Sequence, residues 1–382
     1  MIYLDNAATT PVRREALEAM WPLLTSGFGN PSSRHSVGEA AAAALTEARL
    51  SVARSLGCRP GDVLFTSGGT ESDNLAIKGL ALGASEPGPN HVITTAIEHE
   101  AVLESVDYLH RRHGFDVTLL PTDADGRVRP DDLRAALRPH TRLVSVHYAN
   151  NEVGTVQPIA ELAAIARAAG ALIHTDAVQA GGWLPLDVTA LGVDALSLSG
   201  HKLGAPPGVG VLFVRGRLPL EPVLHGGGQE RGKRSGTENV AGAVACAVAL
   251  ELSLRERSVV AARVTALREE FISTVLASCP TARLTGHPTQ RLPGTASFVF
   301  AGTSGEAVLL ELEARGIVCS SGSACAAGSS EPSHVLTALG LSAELAQTAV
   351  RFTLSAHTTP EEIALAGASV REAVTALARL GR

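Results

Sequence analysis

Short apolar runs recur along the middle of the chain, each four to eight residues long and broken by polar, helix-length stretches. From Asp62 to Val214 the runs are DVLFTS, HVITTA, DVTLLP, RLVSVHYA, ALIHTDA, DALSLS and VGVLFV. Such alternation predicts an α/β fold built on a mostly parallel seven-stranded sheet. An alanine-rich stretch from Val37 to Leu56, stopped by Gly57, predicts a helix ahead of the sheet. A second long stretch, from about Asn239 to Ala277, predicts a helical spine joining two domains. Beyond it, TASFVFAG, a helical segment near Glu306 to Arg315, IVCSS, TAVRFTLS and a final helix after Pro360 describe a smaller α+β domain. A chain of 382 residues is too long for one ordinary core. The expected division is a large domain at 13–257 and a small domain formed by 1–12 with 258–382.

Composition narrows the class. Hydrophobic residues make up 45% and charged residues 18%, as in a globular protein, and the 3% aromatic share leaves the core to Ala, Val and Leu. A net charge of −6, with no block of like charge, argues against nucleic acid as a partner. No run of eighteen apolar residues and no signal-type N-terminus occurs, so the expectation is a cytoplasmic protein without a membrane partner. Cys58, Cys246, Cys279, Cys319 and Cys325 are odd in number and lack CxxC or finger spacing, which argues against structural disulfides and a metal site.

In such sheets ligands gather at the carboxyl ends of strands, and the polar residues of this chain concentrate there. After DVLFTS, Gly68-Gly69-Thr70 offers close-approaching amides and a hydroxyl at a helix start, a seat for a phosphate or an ordinary cap. After ALIHTDA stand Asp176 and Gln179, one turn apart. After RLVSVHYA stand Asn150 and Asn151, and after HVITTA stand Glu98 and His99, whose imidazole can stack on a flat ring or act in proton transfer as a catalytic group. After DALSLS comes Ser199-Gly200-His201-Lys202, which places an amine where a buried strand ends. Low-dielectric surroundings disfavour the ammonium form, and a neutral amine forms Schiff bases. Each feature alone is commonplace. Together they ask for one cofactor, pyridoxal 5'-phosphate, which carries an aldehyde, a ring nitrogen, a phenolic oxygen and a phosphate.

Gly227 to Lys233 fits GxxxxGK, but Arg234 stands where a P-loop needs Ser or Thr, and no β-rich run leads into it. A nucleotide site is rejected. Around Cys325 the chain is made of small residues, from Cys319 to about 332, a setting that favours an exposed, reactive thiol. Cys319 reads as a small core residue, and Arg351 as a guanidinium fork for a carboxylate or as a structural ion pair.

With these motifs in place, the chain resembles the pyridoxal-phosphate cysteine desulfurases of the NifS/IscS-like group in the class V aminotransferase family. The resemblance runs from Leu4-Asp5-Asn6-Ala7-Ala8-Thr9-Thr10 through Phe28 to Ser33, Thr66 to Ser72, Asn150-Asn151-Glu152, Ser199 to Lys202, HGGGQERGKRSGTEN and SSGSACAAGSSEPSHVL, to about Leu354. It implies the fold type I of aspartate aminotransferase-like enzymes and a homodimer. It also implies that Lys202 binds the cofactor aldehyde, Asp176 the ring nitrogen, and Gln179 with Asn151 the ring edge, while His99 stacks on the ring. Gly69, Thr70, Ser199, His201 and Thr237 would hold the phosphate, with Thr237 from a partner subunit. Arg351 with Asn30 would take the carboxylate of L-cysteine. Lys202 would act as general base and Cys325 as nucleophile, producing alanine and a persulfide for a sulfur-acceptor protein in iron–sulfur cluster assembly or another thiolation pathway. Two rivals share much of this pattern: another class V enzyme (aminotransferase, selenocysteine lyase or epimerase), and a non-catalytic sulfur-transfer scaffold. Ala356-His357 and Ala326-Ala327 depart from the family pattern.

Overall fold

The computed structural model describes residues 1–83, 90–321 and 331–380. A short strand, β1 (Ile2–Tyr3), precedes a seven-stranded sheet of β2 (Val63–Thr66), β3 (His91–Thr95), β4 (Asp116–Leu120), β5 (Thr141–Ser145), β6 (Leu172–Asp176), β7 (Ala195–Ser199) and β8 (Gly210–Val214). Its order is β2-β8-β7-β6-β5-β3-β4. Each β-rich run of the sequence supplies one strand. All neighbours pair in parallel except β8, which is antiparallel to both β2 and β7. The reason is length. Between β7 and β8 only the single turn Gly200–Leu203 is helical, too little for a crossover, so the chain runs straight back.

Helices α1 (Arg14–Thr25), α2 (Ser36–Leu56), α3 (Gly69–Leu82) and α4 (Glu100–His113) flank the sheet. Strands β2, β3, β7 and β8 are buried at every position, as expected of a sheet covered on both faces. Helix α2 stops where Gly57 adopts φ 67°, its amide reaching back to Ala53 and Arg54.

The spine is a 39-residue helix, Val240–Ser278. Its first three turns join the large apolar cluster spanning Ala16 to Leu250, and Val264 to Val275 join another with Ile2, Leu4, Phe298, Phe352 and Val370. The second cluster underlies an antiparallel sheet of β9 (Ala282–Leu284), β10 (Thr295–Phe300) and, after β11 (Ile317–Val318), β12 (Ala349–Thr353). Strand β11 pairs in parallel with β1, so the N-terminus is sewn to the C-terminal part of the chain. A small cluster of Ile97, Val153, Val299, Val335 and Ala349 bridges the two parts beside the strand ends. Among the described residues, no helix is long and apolar enough to cross a membrane.

Candidate functional site

The carboxyl ends of β2, β3, β5, β6 and β7 open on one side of the sheet, and the turns after them wall a cavity of about 490 Å³. Thr66 ends β2, and the chain turns through Ser67-Gly68 into α3, so Gly69 and Thr70 present first-turn amides to the cavity. Glycine is required at 69, since a Cβ there would lie 2.7 Å from Val178 Cγ2. Glu71 accepts the Ser67 amide at 2.8 Å, which holds the turn in shape.

His99 caps α4: its Nδ1 accepts the Ala101 amide at 3.0 Å, so in the neutral ring Nε2 carries the proton. Asp176, the last residue of β6, is 8% exposed, and its Oδ1 accepts the Val178 amide at 2.8 Å. Burial raises this carboxyl above the usual range, against the pull of His99 and the Val178 amide toward the charged form. Gln179 stands one turn later and donates to the Ala7 carbonyl at 3.0 Å. Asn151 lines the cavity, while Asn150 is buried and shapes the turn by accepting from the Glu152 and Val153 amides.

Ser199, His201 and Lys202 lie at the end of β7 and in the turn beyond it. Burial, reinforced by Lys202, pushes the His201 imidazole down to about 4, so it is neutral near pH 7. Its Nδ1 lies 3.1 Å from Thr9 Oγ1. Lys202 Nζ donates to the Ala8 carbonyl at 2.6 Å and also to that of Ala7. Arg351, 1% exposed on β12, reaches the same cavity, donating to Asp5 Oδ1 at 2.7 Å and to the Asn151 carbonyl at 2.8 Å.

The cavity thus gathers Gly69, Thr70, His99, Asn151, Asp176, Gln179, Ser199, His201, Lys202 and Arg351. Two expected residues stand elsewhere. Thr237 and Asn30 are exposed and do not line the cavity within this chain; Asn30 Oδ1 accepts the Ser32 amide instead. Cys325 lies outside the described residues. Cys319 is half-buried, and burial with the nearby Asp5 pushes its thiol up to about 12, the behaviour of a packed, unreactive group.

Sequence reasoning overlooked the roles of Asp5, Ala7 and Ala8, known only as part of a motif, and of Glu152. The Glu152 carboxyl receives the Ser333 hydroxyl at 2.5 Å, and His334 Nε2 lies 3.0 Å from the Glu98 carbonyl, so the chain just after the small-residue loop is tied to the cavity wall. Backbone acceptors such as Ala7 and Ala8 carry no side-chain signature, and the carboxylates of Asp5 and Glu152 meet partners far along the chain, which is why pattern reading missed them.

The residues present suit pyridoxal phosphate. A helix N-terminus with a glycine cradle and a hydroxyl suits a dianion, a buried carboxylate suits a protonated ring nitrogen, and an amine stands between them. The class-V aminotransferase family model matches residues 2–365. A cysteine desulfurase IscS of Dictyoglomus turgidum is 48% identical over 362 residues, 95% of this chain and 91% of its own. An IscS-like cysteine desulfurase of Mycobacterium tuberculosis is 47% identical over 384 residues, covering 99% and 97%. Among solved structures, a NifS-like protein superposes with a TM-score of 0.91 at 37% identity, over 98% of this chain and 100% of that one. A structure of SspA in complex with cysteine gives 0.82 at 38% identity, over 94% and 100%.

Proposed function

The chain belongs to the class-V aminotransferase family and to the cysteine desulfurases within it, and from that premise we propose how its residues convert L-cysteine to L-alanine with transfer of sulfur to Cys325. The observation that carries the reading is that one cavity takes in Lys202, Asp176, His99 and the first turn of α3. When bound, pyridoxal phosphate supplies an aldehyde for amine exchange and a ring that accepts the electron pair left by breaking a Cα–H bond.

The chain's own residues do the rest. The α3 amides, Thr70, Ser199 and neutral His201 hold the phosphate; Asp176 holds a proton on the ring nitrogen; His99 covers a ring face, and Gln179 with Asn151 fixes its edge. Arg351 binds the substrate carboxylate with its fork. The Lys202 amine takes the Cα proton as general base, and the carbonyls of Ala7 and Ala8 orient it. The Cys325 thiolate attacks the substrate sulfur, forming an S–S bond as the Cβ–S bond breaks. Support for that assignment comes from the other cysteines: Cys58, Cys246, Cys279 and Cys319 are all raised by burial and so remain thiols. The persulfide then passes to an acceptor protein for iron–sulfur assembly or another thiolation pathway. A second copy of the chain supplies Thr237, and a cytoplasmic setting keeps the nucleophile reduced between turnovers.

The test is incubation of the purified protein with L-cysteine, measuring alanine and enzyme-bound persulfide together. Cys325→Ala is expected to retain the yellow cofactor band and lose persulfide formation. Undiminished alanine release by that variant would favour another class V lyase, and a parent protein without a cofactor band would favour the scaffold.

A further inference from the structure

Beneath the cavity lies a buried polar floor that the proposed mechanism leaves unused apart from Asp176. It contains three carboxyls, Asp73, Glu98 and Asp176, at 1%, 0% and 8% exposure, and two imidazoles, His147 and His174, at 3% and 0%. Glu98 is fully served: it accepts the Thr95 hydroxyl at 2.7 Å and the His147 amide at 2.9 Å, and its Oε1 lies 3.1 Å from His147 Nδ1. Burial opposes the imidazolium of His147, but Glu98 and Asp176 outweigh it and raise its affinity for a proton. His174 is neutral. Its ring nitrogens lie 2.9 Å from the hydroxyls of Ser145 and Ser197, and burial pushes it down to about 3.

Asp73 is different. It enters the cavity wall from the first turns of α3, yet its Oδ1 has no hydrogen-bond partner, and the nearest imidazole nitrogen, His174 Nε2, is 3.6 Å away. The titratable groups facing it are Glu98 from the turn after β3, His147 after β5, and His174 and Asp176 on β6. Strand β7 offers the Ser197 hydroxyl, whose hydrogen bond to Asp73 draws that carboxyl toward the charged form, against burial and the acidic neighbours. A buried carboxylate with an unserved oxygen and two acidic neighbours is a costly state. Burial first, and Asp176 next, raise this carboxyl well above the usual range.

We infer that Asp73 is a neutral carboxylic acid in the folded protein, a positioning residue that leaves the cavity floor with a single net negative charge centred on Asp176. Glu98 and His147 face each other at 3.1 Å, His174 is uncharged, and Asp176 is left to face a cation. The floor therefore selects a protonated aromatic nitrogen over a neutral one. The inference rests on the pyridoxal-phosphate reading only for this consequence; the protonation of Asp73 stands without it.

The experiment compares the full chain with Asp73→Asn, an amide of the same shape that cannot ionise. With cofactor removed, denaturant midpoints are measured from pH 5 to pH 8. In the unfolded chain Asp73 loses its proton near 4, whereas in the fold it keeps it, so the folded state binds more protons and loses stability as pH rises. The folded-to-unfolded ratio of the parent, relative to Asp73→Asn, is expected to fall about tenfold per pH unit over this range. Parallel pH curves would overturn the inference, because a merely structural Asp73 shifts both equally. Should Asp73→Asn fail to fold, the infrared spectrum of the parent decides: a protonated-carboxyl band persisting at pH 8 is expected, and its absence overturns the inference. With pyridoxal phosphate added, Asp176→Asn, which removes the net charge, is expected to weaken binding by more than about tenfold, and Asp73→Asn, which keeps it, by less. Equal losses would break the link between Asp73 and the ring nitrogen.

Discussion

Gly69 shows how one missing atom shapes the proposed phosphate seat. A methyl there would press on Val178 Cγ2 at 2.7 Å and approach Ser199 Cβ at 3.4 Å, pushing apart the ends of β2, β6 and β7. Gly69→Ala is expected to weaken pyridoxal-phosphate binding about tenfold, measured by absorbance titration, and Val178→Ala in the same chain to restore most of the loss. Failure of the second change to rescue would show that glycine serves backbone freedom and not close approach. Arg351 and Lys202 make a related point. Each is charged or ionisable, Arg351 is buried and Lys202 half-buried, and each is received by the N-terminal segment, Arg351 by Asp5 and Lys202 by the carbonyls of Ala7 and Ala8. Sequence alone left Arg351 between a substrate fork and a structural ion pair. The fold places it in the cavity wall and in an ion pair at once, since one guanidinium has donors enough for both.

Among elements, the segment from Gly226 to Thr237 is where local sequence misleads most. Its GxxxxGK spacing imitates a nucleotide loop, but the chain there forms a strap against α2 and α3. Glu230 and Arg231 take positive φ values, 46° and 60°, without being glycines. Such backbone persists only where surrounding contacts over-determine it. Arg49 of α2 supplies them, donating to both Glu230 oxygens at 2.7 Å in a pair whose side chains are 12% and 1% exposed. Arg234 adds a second tie, to Glu71 at 2.7 Å. The Glu71 carboxylate also holds the Ser67 amide, so the strap that leads to Thr237 and the proposed phosphate seat share one anchor. Arg49→Met leaves Glu230 buried without its partner and is expected to cost about 3 kcal/mol in denaturant unfolding. The double change Arg49→Met with Glu230→Gln should recover most of that, because the stranded charge is gone.

At the scale of the whole molecule, the long helix Val240–Ser278 ties one apolar cluster to another, and Phe271 is its anchor in the second. Phe271 is fully buried, with its ring edge-on to Phe352 at 4.9 Å and to Phe298 at 6.1 Å between centroids. Phe271→Ala is expected to destabilise the chain by about 3–5 kcal/mol, read from the denaturant midpoint, while the cavity residues of the larger sheet keep their cofactor affinity under native conditions. Loss of affinity in parallel with stability would mean that the two clusters do not respond separately. Much of the architecture was legible in the amino-acid order, because strand and helix periodicities are local. Each β-rich run became a strand, and Asp176, His99, Lys202 and the Gly68-Gly69-Thr70 turn were visible because each sits at or just beyond a strand's carboxyl end. The reversal of β8 was less plain, since it depends on the short β7–β8 connection rather than on any pattern within β8. What only the tertiary structure decided are meetings across great chain separation and unmarked backbone. Ala7 receives Lys202 from 195 residues away, and Asp5 meets Arg351 across 346. A carbonyl carries no side-chain code, and neither the unserved Oδ1 of Asp73 nor its nearness to Asp176 has any local signature. Periodicity specifies which face of an element is buried, whereas the protonation and pairing of a buried group depend on what the rest of the chain brings to it.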